Sequence, residues 1–285
     1  MMSGMSSVPE TIALRPNEKL QYWRRHDLGD ATLLHAHYGP FVWEKHFHDE
    51  QVVVISERGA GECYTRRGTD VGGPGSVWIF APGEYHGGRV DGREWQYRAL
   101  YLDDAALARI GEQFGVDPKK RLVLKAGLHL DEQLHSLLLR AHAYPRVEAV
   151  SEQDVWSDAL VALFARYGDP QPKVCERSIG NAALHLARAY IAEHFRDDIS
   201  IDDLARLCKV SRYHFIRAFR AAFGLPPHAY INQVRLQYAR KLLLAGQTAG
   251  DAAVESGFYD QSRLNQLFKR CYGVTPARYA HLVSL

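Results

Sequence analysis

Residues 51–56, 62–66, 77–80 and 94–102 are short apolar, β-branched or alternating runs. Gly59-Ala60-Gly61, the Val71 to Gly75 segment and Pro82-Gly83 separate them. Such runs, punctuated by glycine and proline, predict strands of a sandwich or barrel with the glycine groups as turns. Residues 14–34 also read as strand and turn, with weaker alternation. Past Asp103 the apolar spacing lengthens to three and four, which predicts helices. Asp103-Asp104 caps one that reaches Phe114 and ends at Gly115. Residues 131–142 carry Leu134, Leu137, Leu138 and Ala141 on one face. Residues 151–167 open on Ser151-Glu152-Gln153-Asp154, a capping-box arrangement, and show Val155, Ala159, Ala162 and Leu163 as their stripe. Gly168-Asp169-Pro170-Gln171-Pro172 cannot continue a helix and marks an interdomain linker, 168–177.

Beyond the linker the pattern is helical throughout. An amphipathic helix covers 182–195 and a second 202–208, with Asp202 and Asp203 in its first turn as the macrodipole favours. Ser211 caps Arg212–Phe223, and Gly224 ends it. Pro226-Pro227 opens a long helix to Leu244, ~27 Å at ~1.5 Å per residue. Gly246-Gln247-Thr248 ends that helix. Residues 252–256, a Gly257-Phe258-Tyr259 turn and an Asp260-capped helix at 261–272 follow.

Residues 202–279 hold one helical device twice. A constant offset of 49 residues carries Phe219 to Phe268 and Tyr230 to Tyr279, while Ala205 and Ala253 are 48 apart. The slip falls in the turn, where insertions are absorbed most easily. In the first copy Phe215, Ala218, Phe219 and Ala222 form the buried stripe, and in the second Leu264, Leu267, Phe268 and Cys271 do so. Ser211, Arg212, Tyr213, Arg217 and Arg220 fall on the opposite face of the first, with Ile216 as an apolar exception. Gln261, Ser262, Arg263, Gln266 and Lys269 face outward on the second.

The chain has 285 residues, room for two domains, with 46% hydrophobic and 24% charged residues, as in globular proteins. Net charge is +2, which changes meaning once divided. Residues 180–285 hold 14 Lys/Arg and 8 Asp/Glu, or +6, and the remainder holds 21 and 25, or −4. The basic share lies on the duplicated segment, as an electrostatic footprint for nucleic acid would. Cys63, Cys175, Cys208 and Cys271 are far apart with no CxxC, which favours buried thiols in a reducing cytoplasm over a disulfide framework. No long apolar run or signal-like start is present, so no membrane association is expected. Residues 1–14 read as a disordered start.

Two sets of residues resemble a known family. His46-x-His48-x-Glu50, the Gly59/Gly61 pair, Gly75 and Pro82-Gly83-x-x-His86 resemble the two short motifs of the cupin barrel, and more narrowly the sensor domain of AraC-type regulators, over about 15–102. Gly257-Phe-Tyr-Asp260-Gln-Ser-Arg-Leu-x-x-x-Phe268-Lys-x-x-Tyr-Gly273-x-Thr-Pro276 resembles the AraC/XylS signature, over about a hundred residues. The resemblance implies an α+β chain of two domains. A cupin-like barrel with trailing helices, for effector binding and dimerisation, would span 15–167. An AraC-type DNA-binding domain would span 178–285, with helix-turn-helix units at 202–223 and 250–272.

On that reading two recognition helices meet adjacent major grooves of double-stranded DNA, held near one duplex turn, ~34 Å, by the long helix. Arginine suits guanine O6/N7, glutamine suits adenine N6/N7, tyrosine covers a thymine methyl or bonds phosphate, and serine and lysine hold phosphate. Spacing mismatch is expected to bend the duplex. His46, His48, Glu50 and His86 are the candidate effector contacts for a small molecule. His46, His48 and His86 are also weaker candidates for a metal such as Zn, Fe, Mn or Ni. No carboxylate stands where the metal-binding cupins place theirs, the next being Glu57, so no cofactor is expected. Trp43, Trp78, Tyr85, Trp95 and Tyr97 add aromatic lining or core. A cytoplasmic, non-enzymatic regulator, activator or repressor, is the expectation, with RNA polymerase and a second copy of the chain as candidate partners. A metal-dependent cupin enzyme fused to a DNA module and a ligand-independent DNA binder are the alternatives.

Overall fold

The structure is a computed structural model that describes residues 12–13, 18–113, 122–143, 152–168 and 181–283. The remainder of the 168–177 linker after Gly168, the capping residue Ser151 and the Phe114-Gly115 helix end lie outside the described residues. The chain divides into a sheet unit and a helical unit.

The described strands are β1 (Ile12–Ala13), β2 (Lys19–Arg25), β3 (Ala31–Tyr38), β4 (Val42–His46), β5 (Gln51–Tyr64), β6 (Thr69–Gly72), β7 (Ser76–Phe80), β8 (His86–Leu102) and β9 (Gly127–Leu130). They form one antiparallel sheet in the order β1-β2-β3-β8-β5-β7-β9, with β4 on β8 and β6 on β5. The expected disordered start is corrected at one point, because Ile12 and Ala13 pair with Leu20 and Lys19.

Gly59-Ala60-Gly61 is likewise not a turn. It lies inside β5, whose pairing with β8 runs from Gln51↔Leu102 to Tyr64↔Gly87 through register shifts at Ser56/Arg58 and Gly59/Ala60. An irregularity of this kind bends a strand without ending it. Gly59 sits at φ +68°, and a Cβ there would come within 2.0 Å of the Glu94 carbonyl oxygen. Only glycine tolerates both conditions. β5 and β8, 14 and 17 residues long, pair with β7 and β3 through one part and with β6 and β4 through the other.

Alternation along the strands gives the sheet two faces. Leu33, Val53, Ile55, Val77, Ile79, Leu100 and Leu102 line one. Against it pack α1 (Asp104–Gln113), α2 (Glu132–Ala143) and α3 (Glu152–Tyr167), through Leu107, Ile110, Leu134, Leu138, Trp156 and Leu163. Asp103 caps α1 by accepting from Ala106 N–H at 2.8 Å, and Asp131 caps α2 by accepting from Leu134 N–H at 2.9 Å. Arg166 of α3 pairs with that same Asp131 at 2.6 Å, so one carboxylate starts one helix and holds the next.

The helical unit holds α4 (Asn181–His194), α5 (Ile201–Leu207), α6 (Arg212–Phe223), α7 (Pro227–Leu244), α8 (Ala249–Glu255), α9 (Gln261–Tyr272) and α10 (Pro276–Val283). α4, α5 and α6 close on Ala187, Ile191, Leu204, Phe215 and Phe219, with Ile231 of α7 completing the cluster. α7 also meets α8, α9 and α10. α8 starts three residues earlier than its pattern predicts. Thr248, read as the end of α7, is instead the N-cap of α8 and accepts from Asp251 N–H at 3.2 Å.

Candidate nucleic-acid interface and sensor site

α6 and α9 are built alike from cap to cap. The Ser211 hydroxyl accepts from His214 N–H at 3.3 Å, and the Asp260 carboxylate accepts from Arg263 N–H at 2.7 Å. Each helix then ends on a left-handed glycine, Gly224 at φ 77° and Gly273 at φ 76°. Phe215 and Phe219 are buried on α6, and Leu264, Leu267, Phe268 and Cys271 on α9. Ala218 and Ala222 are only half-buried. Ser211, Arg212, Tyr213, Arg217, Arg220, Gln261, Ser262, Arg263, Gln266 and Lys269 are all exposed, and Ile216 is half-buried.

Neither α6 nor α9 has an acidic residue in its first turn. The positive end of α6, capped by the neutral Ser211, therefore favours an approaching anion such as a phosphate, whereas the Asp260 carboxylate already occupies the end of α9. The arginines of α6 are differently engaged. Arg212 gives its Nη1 donor to Asp202 of α5 at 2.9 Å. The Arg217 guanidinium lies over the ring of Tyr213, one helical turn before it, at 5.6 Å from the centroid. Exposed His214 on α6, half-buried Asn265 on α9 and Tyr259, which is 97% exposed just before the Asp260 cap, stand beside the predicted contacts. The offset of 49 would have found Asn265, which it pairs with Ile216.

The second face of the sheet is aromatic. Tyr38 and Tyr97 stack at 6.2 Å, Trp95 lies 4.5 Å from Tyr97, and Trp95 Nε1 donates to the Ser56 hydroxyl at 3.1 Å. Burial pushes the Tyr38 and Tyr97 phenols well above their usual range, so both stay protonated. Trp78 and Trp43 are buried too, while Tyr85 is half-buried.

His46, His48 and His86 are brought together, all buried, with one ligand atom from each within 4.8 Å of the others. Glu50 is half-buried and lies outside that group. β4 carries His46, and the start of β8 carries His86. Gly83 N–H bonds the His48 carbonyl at 2.8 Å, which ties the Pro82-Gly83 turn to the His48 segment. Phe80 stacks on His86 at 4.1 Å, and Tyr101 meets His48 edge-on at 5.4 Å. His46 Nδ1 bonds the Glu44 carbonyl at 2.7 Å, and His86 Nδ1 bonds the Glu84 carbonyl at 3.1 Å. A carbonyl only accepts, so both Nδ1 atoms carry a proton. Burial lowers His46 to about 4, against a smaller upward pull from the Glu44 carbonyl, so its ring is neutral at pH 7. Such a set can accept hydrogen bonds from a polar ligand or hold a borderline divalent cation. Tyr101 and Phe80, unremarked in the sequence, share this face because they alternate with the residues of the helix-covered side.

A sheet domain with this aromatic, histidine-bearing face, followed by paired helix-turn-helix units, defines a class: DNA-binding transcription regulators with an attached ligand-binding domain. Residues 28–162 match the AraC-like ligand binding domain, and residues 204–281 match a Helix-turn-helix domain. The chain is 30% identical over 235 residues to the thermoregulatory protein LcrF of Yersinia pestis, covering 81% of this chain and 80% of LcrF. It is 27% identical over 241 residues to the HTH-type transcriptional regulator YbfI of Bacillus subtilis, covering 77% and 80% of the two chains. The crystal structure of unsaturated fatty acid bound wild-type ToxT from Vibrio cholerae has a similar fold, with a TM-score of 0.53 at 13% identity, covering 95% of this chain and 98% of ToxT. The chain belongs to the AraC family of transcription regulators. Among the described residues no helix is long and apolar enough to cross a membrane.

Proposed function

We propose that this chain is a one-component transcription regulator of the cytoplasm that reads two successive major grooves of one duplex face with α6 and α9, under control of a small-molecule effector. The observation that carries it is the equivalence of the two helices. Both have an exposed polar face, an N-terminal cap and a glycine stop in the same register, and both pack on the single helix α7. Arg217 and Gln266 occupy equivalent outward positions and are the base readers, of guanine and adenine. Lys269, Ser211, Ser262 and Arg220 hold phosphate. The effector is a small organic molecule that lies on the aromatic face and hydrogen-bonds to the histidines, His48 and His86 in particular. To control DNA binding it must bind two arrangements of the protein with different affinity. A homodimer formed through α2 and α3 belongs to the same reading, as does contact with RNA polymerase.

Selection of bound sites from random DNA, with and without a small-molecule extract of bacterial cells, tests this. The expected result is two half-sites about one duplex turn apart whose occupancy the extract changes. A single half-site, or occupancy indifferent to every extract, would count against it.

The histidine cluster favours a second reading, in which the ligand is a divalent cation. The Nδ1 bonds to Glu44 and Glu84 carbonyls match the orienting contacts usual for metal-bound imidazoles. Elemental analysis of the intact protein, followed by zinc titration of the His86→Ala variant, separates the two readings.

A further inference from the structure

The outward arginines of α6 differ in which part of the guanidinium is occupied. Arg212 spends an edge donor on Asp202 at 2.9 Å. Guanine recognition needs two parallel edge donors, so that ion pair competes directly with base reading. Arg217 instead holds its guanidinium carbon over the Tyr213 ring, at 5.6 Å from the centroid. A cation over an aromatic ring is attracted by the ring's π face, a contact that by itself uses no N–H donor in a hydrogen bond. The two residues are four apart on one helix, where side chains are neighbours. Tyr213 is 71% exposed, so its ring contributes little to the core.

We propose that Tyr213 is a positioning residue. It holds the Arg217 guanidinium in one plane and so sets the specificity of the first helix for a single guanine. This rests on the reading of α6 as a base-reading helix and assigns Tyr213 a role through Arg217 in place of its own contact to the duplex. A long arginine side chain loses much rotational freedom on docking, and a stack formed beforehand removes part of that cost. The second unit has no such device. Its residues at the corresponding positions are Ser262 and Gln266, and serine carries no ring to stack on. The sharper base preference therefore belongs to the half-site read by α6.

The test is selection from random DNA with the full chain and its Arg217→Ala, Tyr213→Leu, Tyr213→Phe and doubly substituted Tyr213→Leu/Arg217→Ala forms, each checked for an unchanged melting transition. Arg217→Ala is expected to flatten one guanine position. Tyr213→Leu is expected to weaken the preference at that same position about three- to tenfold, while Tyr213→Phe restores it. In the Arg217→Ala background, Tyr213→Leu adds nothing. Uniform weakening across all sequences in both backgrounds would overturn the proposal, and so would a Tyr213→Phe protein that behaves like Tyr213→Leu. If Arg217→Ala flattens no position, the base-reading assignment of α6 fails first and takes this proposal with it. If it flattens one and Tyr213→Leu leaves that position intact, only the positioning role is lost.

Discussion

Phe268 meets Tyr279 at a ring-centroid distance of 5.4 Å, and Phe219 meets Tyr230 at the same 5.4 Å. Both phenylalanines are fully buried. The aromatic pair that fixes each reading helix to the helix following it is thus built twice with the same dimension. Replacing Phe219 or Phe268 by alanine removes a ring from a packed site, at a cost of about 3–5 kcal/mol. The two substitutions are expected to lower the denaturation midpoint of the helical unit by similar amounts. Urea titration followed by far-ultraviolet circular dichroism measures this, and a large effect at one site with none at the other would contradict the equivalence.

Gly59 makes the corresponding prediction for the sheet. Alanine there would need a positive φ and a Cβ 2.0 Å from the Glu94 carbonyl oxygen. The left-handed backbone alone costs about 1–3 kcal/mol, and the clash must move β8 as well. Gly59→Ala is expected to lower the sheet unit's melting temperature by several degrees, whereas Gly68→Ala, at a positive φ with nothing within 4 Å, does so to a smaller extent.

These two cases mark what the amino-acid pattern made legible. Helix caps were readable because they depend on local chemistry. Ser211 and Asp260 need only their own side chains and an amide three residues on. Gly59 departs from the turn its pattern predicts because glycine serves a turn and a strand irregularity equally well. Which one holds depends on Glu94, distant in sequence. Thr248 departs from its predicted place because capping residues also follow helices, and the stripe of α8 begins on small alanines that carry a weak apolar signal. Among the sensor candidates the histidines came together and Glu50 did not. Spacing places residues along a strand but does not say which way each side chain turns beyond its end.

Acid sensitivity of the sheet unit is expected to reside partly in Glu57. Its hydrogen bond from His35 and the neighbouring Arg98 hold it at about 2, against 4.5 in the unfolded chain, with burial opposing. His35 Nε2 lies 3.0 Å and Arg98 Nε 3.1 Å from its Oε2. A carboxylate depressed on folding contributes its full stability above the unfolded value and loses it as pH falls toward the folded one. The loss therefore falls between about pH 4.5 and 2. Glu57→Gln is expected to be less stable at pH 7 and to show a shallower decline across that window. Denaturation midpoints measured at several pH values would show an unchanged decline if Glu57 plays no part.

The histidine-bearing face predicts a loss of response. His48→Ala and His86→Ala each remove an imidazole from the buried group. If the effector bonds to them, the change in DNA affinity caused by an active extract is expected to fall at least about tenfold in concentration dependence, the effect of losing a buried polar contact worth about 1.5 kcal/mol. Fluorescence anisotropy with a labelled operator fragment, titrated with extract, reads this directly. An undiminished response in both variants would move the effector elsewhere.

Salt dependence separates the two kinds of contact assigned to the reading helices. A lysine bound to phosphate releases condensed counterions, whereas a side chain bonded to a base edge releases few. Lys269→Ala is therefore expected to reduce the slope of log affinity against log salt by about 1 and to weaken all sequences alike. Gln266→Ala should leave the slope nearly unchanged and relax the preference at one adenine, at a cost of about 1–3 kcal/mol. Both side chains are exposed on α9, three positions apart, so neither change opens a cavity that could be mistaken for lost recognition. The two signatures are orthogonal, and their exchange, with Gln266 governing the salt slope and Lys269 the sequence preference, would mean that α9 enters the groove rotated from the orientation its buried stripe implies.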